Sequence, residues 1–507
     1  MESFVNVVTT VNNAVNSVVW GVPALILLVG TGFVMTFLTK FFQFTHFGHW
    51  MSETIGKLFS KKTASTVTHS TDKKSISQFQ SLCTALSATI GTRNIAGIAY
   101  AITMGGPGAV FWMWIAAIVG MMTNSSENVL GIFFRRRNKD GEWSGGAMYY
   151  LSEGLGAKKG CKWIGKILAV LFCIFALMAS FGIGNMGQVA SIKESILALG
   201  SPTGNATWDG LLIGIVVLIF AALVILGGLK RIASTNEKIV PFMAIFYILG
   251  SLIIICMNAD MILPAFGAIF KGAFSLEAAA GGVGGYVIMQ AITWGFKRGV
   301  FSNEAGLGSS VMVHSTSDIK EPVRQGMWGI FEVFVDTIIV CTMTALVILT
   351  SGVVDLTTGA SFSGLTKLGL ATEAFTLNLG TVGGIFVSIA VCLFAFSTTL
   401  GWSVYGSKAW EYLFGTKSLP IYKVIFVAAI MMSCVMDASL AIDLSDTFNG
   451  LMAIPNLIGV LTMSGTVIAI TKNYIDRKLK VKDISPLLSY DPKINEDHAK
   501  AVAYGED

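Results

Sequence analysis

The sequence predicts an all-α polytopic membrane protein with about eleven transmembrane helices, one leading span followed by two groups of five. Three observations predict it. Apolar runs of about 20 residues recur along nearly the whole chain, each long enough to cross a hydrocarbon core of about 30 Å. Only 13% of the 507 residues are charged and 53% are hydrophobic, where a soluble domain carries about 25% charge. Lys and Arg, finally, collect in alternate connections between the runs.

The apolar runs place spans near 20–39, 79–103, 108–133, 164–190, 209–228, 239–258, 282–305, 326–350, 383–405, 421–440 and 448–471. Of the 35 basic residues, 29 fall in one set of connections, including 40–74, 135–166 and the tail 472–500. The opposite set holds Lys193, Lys271 and Lys367, while Arg93, Lys297 and Arg298 lie within spans. Positive charge stays on the cytoplasmic side, so the N-terminus is expected outside and the C-terminal tail in the cytoplasm. This is the arrangement of a multi-pass protein of a bacterial or archaeal cytoplasmic (inner) membrane. No basic residue precedes Lys40, so a signal peptide's basic start is missing. The uncharged amphipathic segment 5–19 is expected along the outer membrane surface.

Four regions follow: 1–76 with the extra span and its connection, a first five-span group over 77–260, a second over 261–475, and a cytoplasmic tail over 476–507. Five is odd, so the second group starts from the opposite side of the membrane, the topology an inverted repeat requires. The seven cysteines show no CxxC spacing and read as reduced small residues. There is no histidine cluster and no pair of acids beside a nucleophile, so an enzyme is not expected. No short repeated filter marks an ion channel, which stays a remote alternative.

Polar residues inside spans are costly and mark function. The first span of each five is interrupted. One interruption reads Ser87-Ala-Thr-Ile-Gly-Thr-Arg-Asn-Ile-Ala-Gly97. A break at Gly91 would leave a half-helix N-terminus suited to a carboxylate and, before it, free carbonyls suited to Na⁺. The bland alternative is a glycine kink for close packing. The other interruption runs from Trp294 to Ser310 and turns charged at Lys297 and Arg298; the alternative there is a span that ends early. Breaks at matching positions of two halves point to a transport site. Ser397, Thr398 and Thr399 bring hydroxyls to mid-span, either for Na⁺ or for the carbonyl one turn back. Gln188 could meet a substrate or bridge helices. Glu127, Glu332 and Asp336 read as structural acids, with Glu127 placed to pair near Arg135.

Together these segments resemble the alanine or glycine:cation symporter family. The matching stretches are Gly91-Thr-Arg-Asn-Ile-Ala-Gly97, Gly105-Gly-Pro-Gly-Ala-Val-Phe-Trp-Met-Trp114, Gly145-Gly-Ala-Met-Tyr-Tyr150, Phe181-Gly-Ile-Gly-Asn-Met186 with Gln188, Arg298-Gly-Val-Phe-Ser-Asn-Glu-Ala-Gly-Leu-Gly308 and Phe396-Ser-Thr-Thr-Leu-Gly-Trp402. The resemblance implies a leucine-transporter-type 5+5 inverted-repeat core behind one N-terminal helix. It also implies a secondary active transporter for sodium-coupled uptake of a small neutral amino acid, alanine or glycine. Its partners would be that amino acid, Na⁺ as the co-transported ion and the lipid bilayer, with no nucleic acid; oligomeric state stays open. By the same likeness Thr92, Arg93, Asn94, Gln188, Phe301, Thr398 and Trp402 would form the substrate site. Ala88, Gly91, Ser397 and Thr398 would hold Na⁺.

One departure matters. The family usually carries glycine where this chain has Arg93. Three readings follow: Arg93 binds a second acceptor on a larger or acidic amino acid, it stands in for a cation and loosens the Na⁺ requirement (proton coupling included), or it pairs with an acid such as Glu127 or Glu304. An unpaired arginine at mid-bilayer costs about 3 kcal/mol or more, so a partner is expected.

Overall fold

Apolar stretches with no turn chemistry inside them can satisfy their backbone in a bilayer only as helices, and helices are what form. A computed structural model describes residues 2–61, 63–274, 284–435 and 439–503. The helices that position the site are α1 (Glu2–Val19), α2 (Val22–Leu38), α3 (Gln78–Thr89), α4 (Ile98–Gly105), α5 (Gly108–Phe133), α6 (Lys162–Phe181), α7 (Gly187–Leu197), α8 (Ala206–Ile225), α9 (Leu229–Met257), α10 (Ile262–Phe274) and α11 (Gly284–Asn303). They continue as α12 (Val311–His314), α13 (Pro322–Val333), α14 (Thr342–Thr350), α15 (Lys367–Leu379), α16 (Thr381–Phe414), α17 (Leu419–Val435), α18 (Ser439–Thr462) and α19 (Ser464–Tyr474).

Eight helical stretches among the described residues are long and apolar enough to cross a membrane, and the pair α18–α19, bent by 58°, is a ninth candidate. Of the eleven expected spans, these leave out 79–103 and 282–305, the two that the sequence marks as interrupted. Residues 282–283 and 436–438 of the expected spans lie outside the described residues.

Local chemistry sets the helix starts. Ser77 and Gln80 close a reciprocal cap on α3, each side chain accepting the other's backbone N–H at 3.1 Å. Asn205 Oδ1 caps α8 by accepting from Thr207 and Trp208 N–H. In α8, Leu212, Ile215, Val216, Ile219, Phe220 and Leu223 are all exposed, as suits a helix whose outer face meets hydrocarbon. The opposite pattern marks α5, which packs against α2, α11 and α13. Within it the stretch Thr123 to Asn128 is polar at every position and buried. Helix α3 packs against α9 and α16, and α6 against α16 and α18. The site lies among these bundles.

The first interruption forms where expected. Helix α3 ends at Thr89, Ile90 is extended (φ −78°, ψ 92°), and a π-helical turn over Arg93–Gly97 leads into α4. The second break also falls within the expected stretch, Trp294 to Ser310, and the span does not end early at Lys297: α11 runs on to Asn303. Lys297 and Arg298 remain helical because aromatic rings shelter them, Lys297 Nζ at 5.4 Å from the Trp294 ring and the Arg298 guanidinium at 4.8 Å from Tyr100. The break falls at 304–310, where Glu304, Gly306 and Gly308 all take positive φ.

Candidate substrate and cation site

A helix that stops in mid-molecule leaves backbone groups without partners, and the two breaks meet each other. At the first, Asn94 Oδ1 accepts Gly91 N–H at 2.9 Å, so a side chain of the restarted helix reaches back and ties the unwound segment to it. The Asn94 amide nitrogen donates to Asp336 Oδ1 at 2.6 Å and to Ser302 Oγ at 3.1 Å. Asp336 Oδ2 accepts from Ser302 and Thr337, each at 2.8 Å. Asn94 is thus buried within protein and joins the first break to α11 and to the π-helical turn Phe334–Cys341.

Arg93 lies between the breaks. Its Nη2 donates to Glu304 Oε1 and to the Ala88 carbonyl, both at 2.6 Å, and its Nη1 to the Phe301 carbonyl at 2.9 Å. Arg93 is 6% exposed and Glu304 fully buried. The second Glu304 oxygen accepts from Ser309 Oγ at 2.6 Å. Glu304 holds φ at 56°, a region costly for a long side chain, and its two bonded oxygens fix it there. Of the two acids expected as partners for Arg93, Glu304 takes the role. Glu127 pairs with neither Arg93 nor Arg135. It accepts from Asn456, which also donates to the Gly306 carbonyl at 2.9 Å. Arg135 instead donates to the carbonyls of Ser315, Ser317 and Ile319.

A cavity of about 330 Å³ opens over the first break. Thr92, Arg93, Gln188 and Phe301 line it, together with Tyr100, Arg298 and Lys367. Thr92 Oγ1 donates to Gln188 Oε1 at 3.2 Å, and Gln188 Nε2 donates to the Ile183 carbonyl at 3.0 Å. Asn94, Thr398 and Trp402 do not reach this surface and are fully buried. Trp402 packs on Gly184, where a Cβ would lie 2.4 Å from Trp402 Cβ.

The residues implied for Na⁺ separate into two groups. Thr398 Oγ1 is buried without a hydrogen-bond partner among the described residues, and it faces Gly91, where a Cβ would lie 2.7 Å away. Ser397 Oγ donates to the Phe394 carbonyl at 3.0 Å and contacts Met243 Sδ at 3.2 Å. The Ala88 carbonyl carries the Arg93 guanidinium.

Sequence reasoning singled out Glu332 but missed His314, which is fully buried. Gln325 Nε2 donates to its Nδ1 at 2.5 Å, and its Nε2 meets Glu332 Oε2 at 2.9 Å. An amide nitrogen only donates, so Nε2 carries the proton. The available signal was a lone histidine following an interrupted span and preceding an intramembrane acid.

The model of the family described as sodium:alanine symporters matches residues 5–486. The sodium/alanine symporter AgcS of Methanococcus maripaludis is 44% identical over 93% of this chain and 98% of that protein. The "Probable sodium/glutamine symporter GlnT" of Bacillus subtilis is 34% identical over 92% of this chain and 91% of that protein. The amino-acid carrier protein AlsT of the same organism is 31% identical over 96% and 97%. With its helices apolar enough to span a bilayer, its two facing breaks and this match over nearly its whole length, the chain belongs to the sodium:alanine symporter family, and it is a multi-pass membrane transporter of the cation-coupled amino-acid type, not an enzyme.

Proposed function

We propose that the protein imports a small neutral amino acid, alanine or glycine, together with Na⁺ by alternating access across a bacterial or archaeal cytoplasmic membrane. The observation that carries this reading is the cavity floor. There the unwound segment 90–92 presents the start of a helix beside the Thr92–Gln188 pair. The first N–H groups of a helix have no intrahelical partner and sit at its positive end, so the substrate carboxylate docks beside Thr92. Phe301 and Gln188 close the sides, and Asn94 holds the unwound segment from behind through the Gly91 N–H, with Trp402 packed on Gly184. Both terminal nitrogens of Arg93 are already hydrogen-bonded within the protein, which favours a substrate with a single carboxylate.

Na⁺ sits between the Gly91 carbonyl and the unpartnered Thr398 hydroxyl, joining the first broken helix to α16. An ion that binds one conformation more tightly than another shifts the balance between them, and Na⁺ in this place favours the state open to the outside. The charge asymmetry of the connections supports an external N-terminus and a cytoplasmic tail. The test is radiolabelled alanine uptake into proteoliposomes with and without an inward Na⁺ gradient, with unlabelled glycine, serine, glutamine and aspartate as competitors. Glycine should compete and aspartate should not. No uptake of any small amino acid under Na⁺ or H⁺ gradients would overturn the proposal.

A further inference from the structure

We infer that the Arg93 guanidinium is a built-in cation filling an oxygen-lined seat between the two broken helices, a seat which, without it, would bind a monovalent alkali ion such as Na⁺. The inference rests on the proposed Na⁺-coupled function and adds to it a determinant of how many ions move per cycle.

Three oxygens converge on the one guanidinium: the Ala88 carbonyl, the Phe301 carbonyl and Glu304 Oε1. Ala88 is in the last turn of α3 and Phe301 in the last turn of α11. Both carbonyls belong to the negative ends of helix dipoles. Glu304 adds a full negative charge at a site closed to solvent. A buried carboxylate facing two helix C-termini cannot stay ionised without a cation. Carbonyl and carboxylate oxygens are the donors that hard metal cations take, and helix C-terminal ends in membrane carriers are places where such ions are held. With glycine at position 93 the same three oxygens would face one another with no positive charge between them. A bare Na⁺ is smaller than a guanidinium, so it would draw the oxygens inward or keep a water.

Arginine stays protonated in proteins. The seat is therefore filled in every state of the cycle, loaded or empty, and its charge never leaves the protein. The two broken helices are tied together without an ion from solution, and the cycle moves one Na⁺ fewer than the oxygen set can hold.

Equilibrium ²²Na⁺ binding to purified full-length protein reads this directly. Arg93→Gly should bind one more Na⁺ per chain than wild type. Arg93→Lys, which restores a tethered cation, and Arg93→Gly/Glu304→Gln, which removes the carboxylate, should both match wild type. In proteoliposomes at zero membrane potential and a tenfold Na⁺ gradient, one extra coupled ion raises the limiting accumulation of alanine by about tenfold. An Arg93→Gly protein with the wild-type Na⁺ count overturns the inference. Should that variant prove labile, its melting midpoint in sodium chloride against choline chloride carries the test. Na⁺ must then stabilise it more than it stabilises wild type, and an equal response overturns the inference. If wild-type vesicles take up no amino acid under any gradient, the transport proposal fails, while the ²²Na⁺ count still reads the seat.

Discussion

Glu304→Gln keeps the shape of the side chain and removes its charge, leaving the Arg93 guanidinium in place with only neutral oxygens around it. Breaking a buried ion pair by removing one partner costs about 3–5 kcal/mol. The Arg93–Glu304 pair, 2.6 Å apart with side chains 6% and 0% exposed, belongs to that class. Arg93→Met makes the converse defect, a buried carboxylate without its cation, and should cost a similar amount. The double variant removes both charges and leaves no uncompensated ion. It should lose much less than the sum of the singles, with a coupling of about 3 kcal/mol. An internal control is Lys500–Glu496, whose side chains are 64% and 68% exposed and whose coupling should be too small to resolve, because solvent screens it. Unfolding titrations with dodecyl sulfate in mixed micelles measure all four free energies of each cycle. Additive losses at Arg93 and Glu304 would refute the reading of the pair as a desolvated bridge between the breaks.

Three further expectations follow from contacts at the site and its flank. Gly91→Ala sets a Cβ 2.7 Å from Thr398 Oγ1, an overpacking worth about 1–3 kcal/mol, and should abolish Na⁺-driven uptake. Adding Thr398→Ala should restore the fold without restoring Na⁺ dependence, and unchanged uptake by Gly91→Ala would contradict the proposed ion position. Gly184→Ala drives a Cβ to 2.4 Å from Trp402 Cβ and should lower the melting midpoint, whereas a wild-type midpoint would show that this helix contact yields freely. Asp318, in the connection before α13, accepts from Ser70, from Thr71 N–H and hydroxyl, and from Asp72 N–H. Burial raises its pKa, but these bonds and the Lys320 charge outweigh that and hold it below the usual carboxylate range. A depressed folded pKa stabilises the docked 70–76 segment above the unfolded value of about 3.9 and loses that hold as pH falls through the folded one. Trypsin cleavage after Lys73 and Lys74 at neutral pH should therefore speed up in Asp318→Asn, and protection equal to wild type would refute the tether.

The spans were legible because a bilayer imposes one length and one polarity on any helix that crosses it. The first break was legible for the same reason in reverse, since Thr92, Arg93 and Asn94 in an apolar run must be satisfied by protein. Lys297 left the place of the second break open within 294–310. A charge halfway along a span reads as an exit from the membrane, yet it can stay helical where an aromatic ring such as Trp294 shelters it. What ends α11 is the positive φ of Glu304, Gly306 and Gly308, a signal carried by the glycines and not by the charges. Arg93's partner was open between Glu127 and Glu304 because the choice is tertiary. Glu127 is nearer in sequence, but α5 turns its carboxylate to Asn456.

Polar links, beside the apolar packing of Ile90, Ile95 and Leu307, join the two breaks to the rest of the bundle. Glu304 bonds Ser309; the next residue, Ser310, accepts from Asn124 of α5, which also reaches Glu332 of α13; Glu332 meets His314, and Gln325 ties His314 to Ser81 of α3. Each link requires a particular distance and direction, and in a dry interior a lost link is expensive. A chain of directional bonds is either made or broken, which suits the proposed alternating access. The proposed alternating access would require these bonds to be exchanged together, with α3, α5 and α13 meeting at Glu332 and His314.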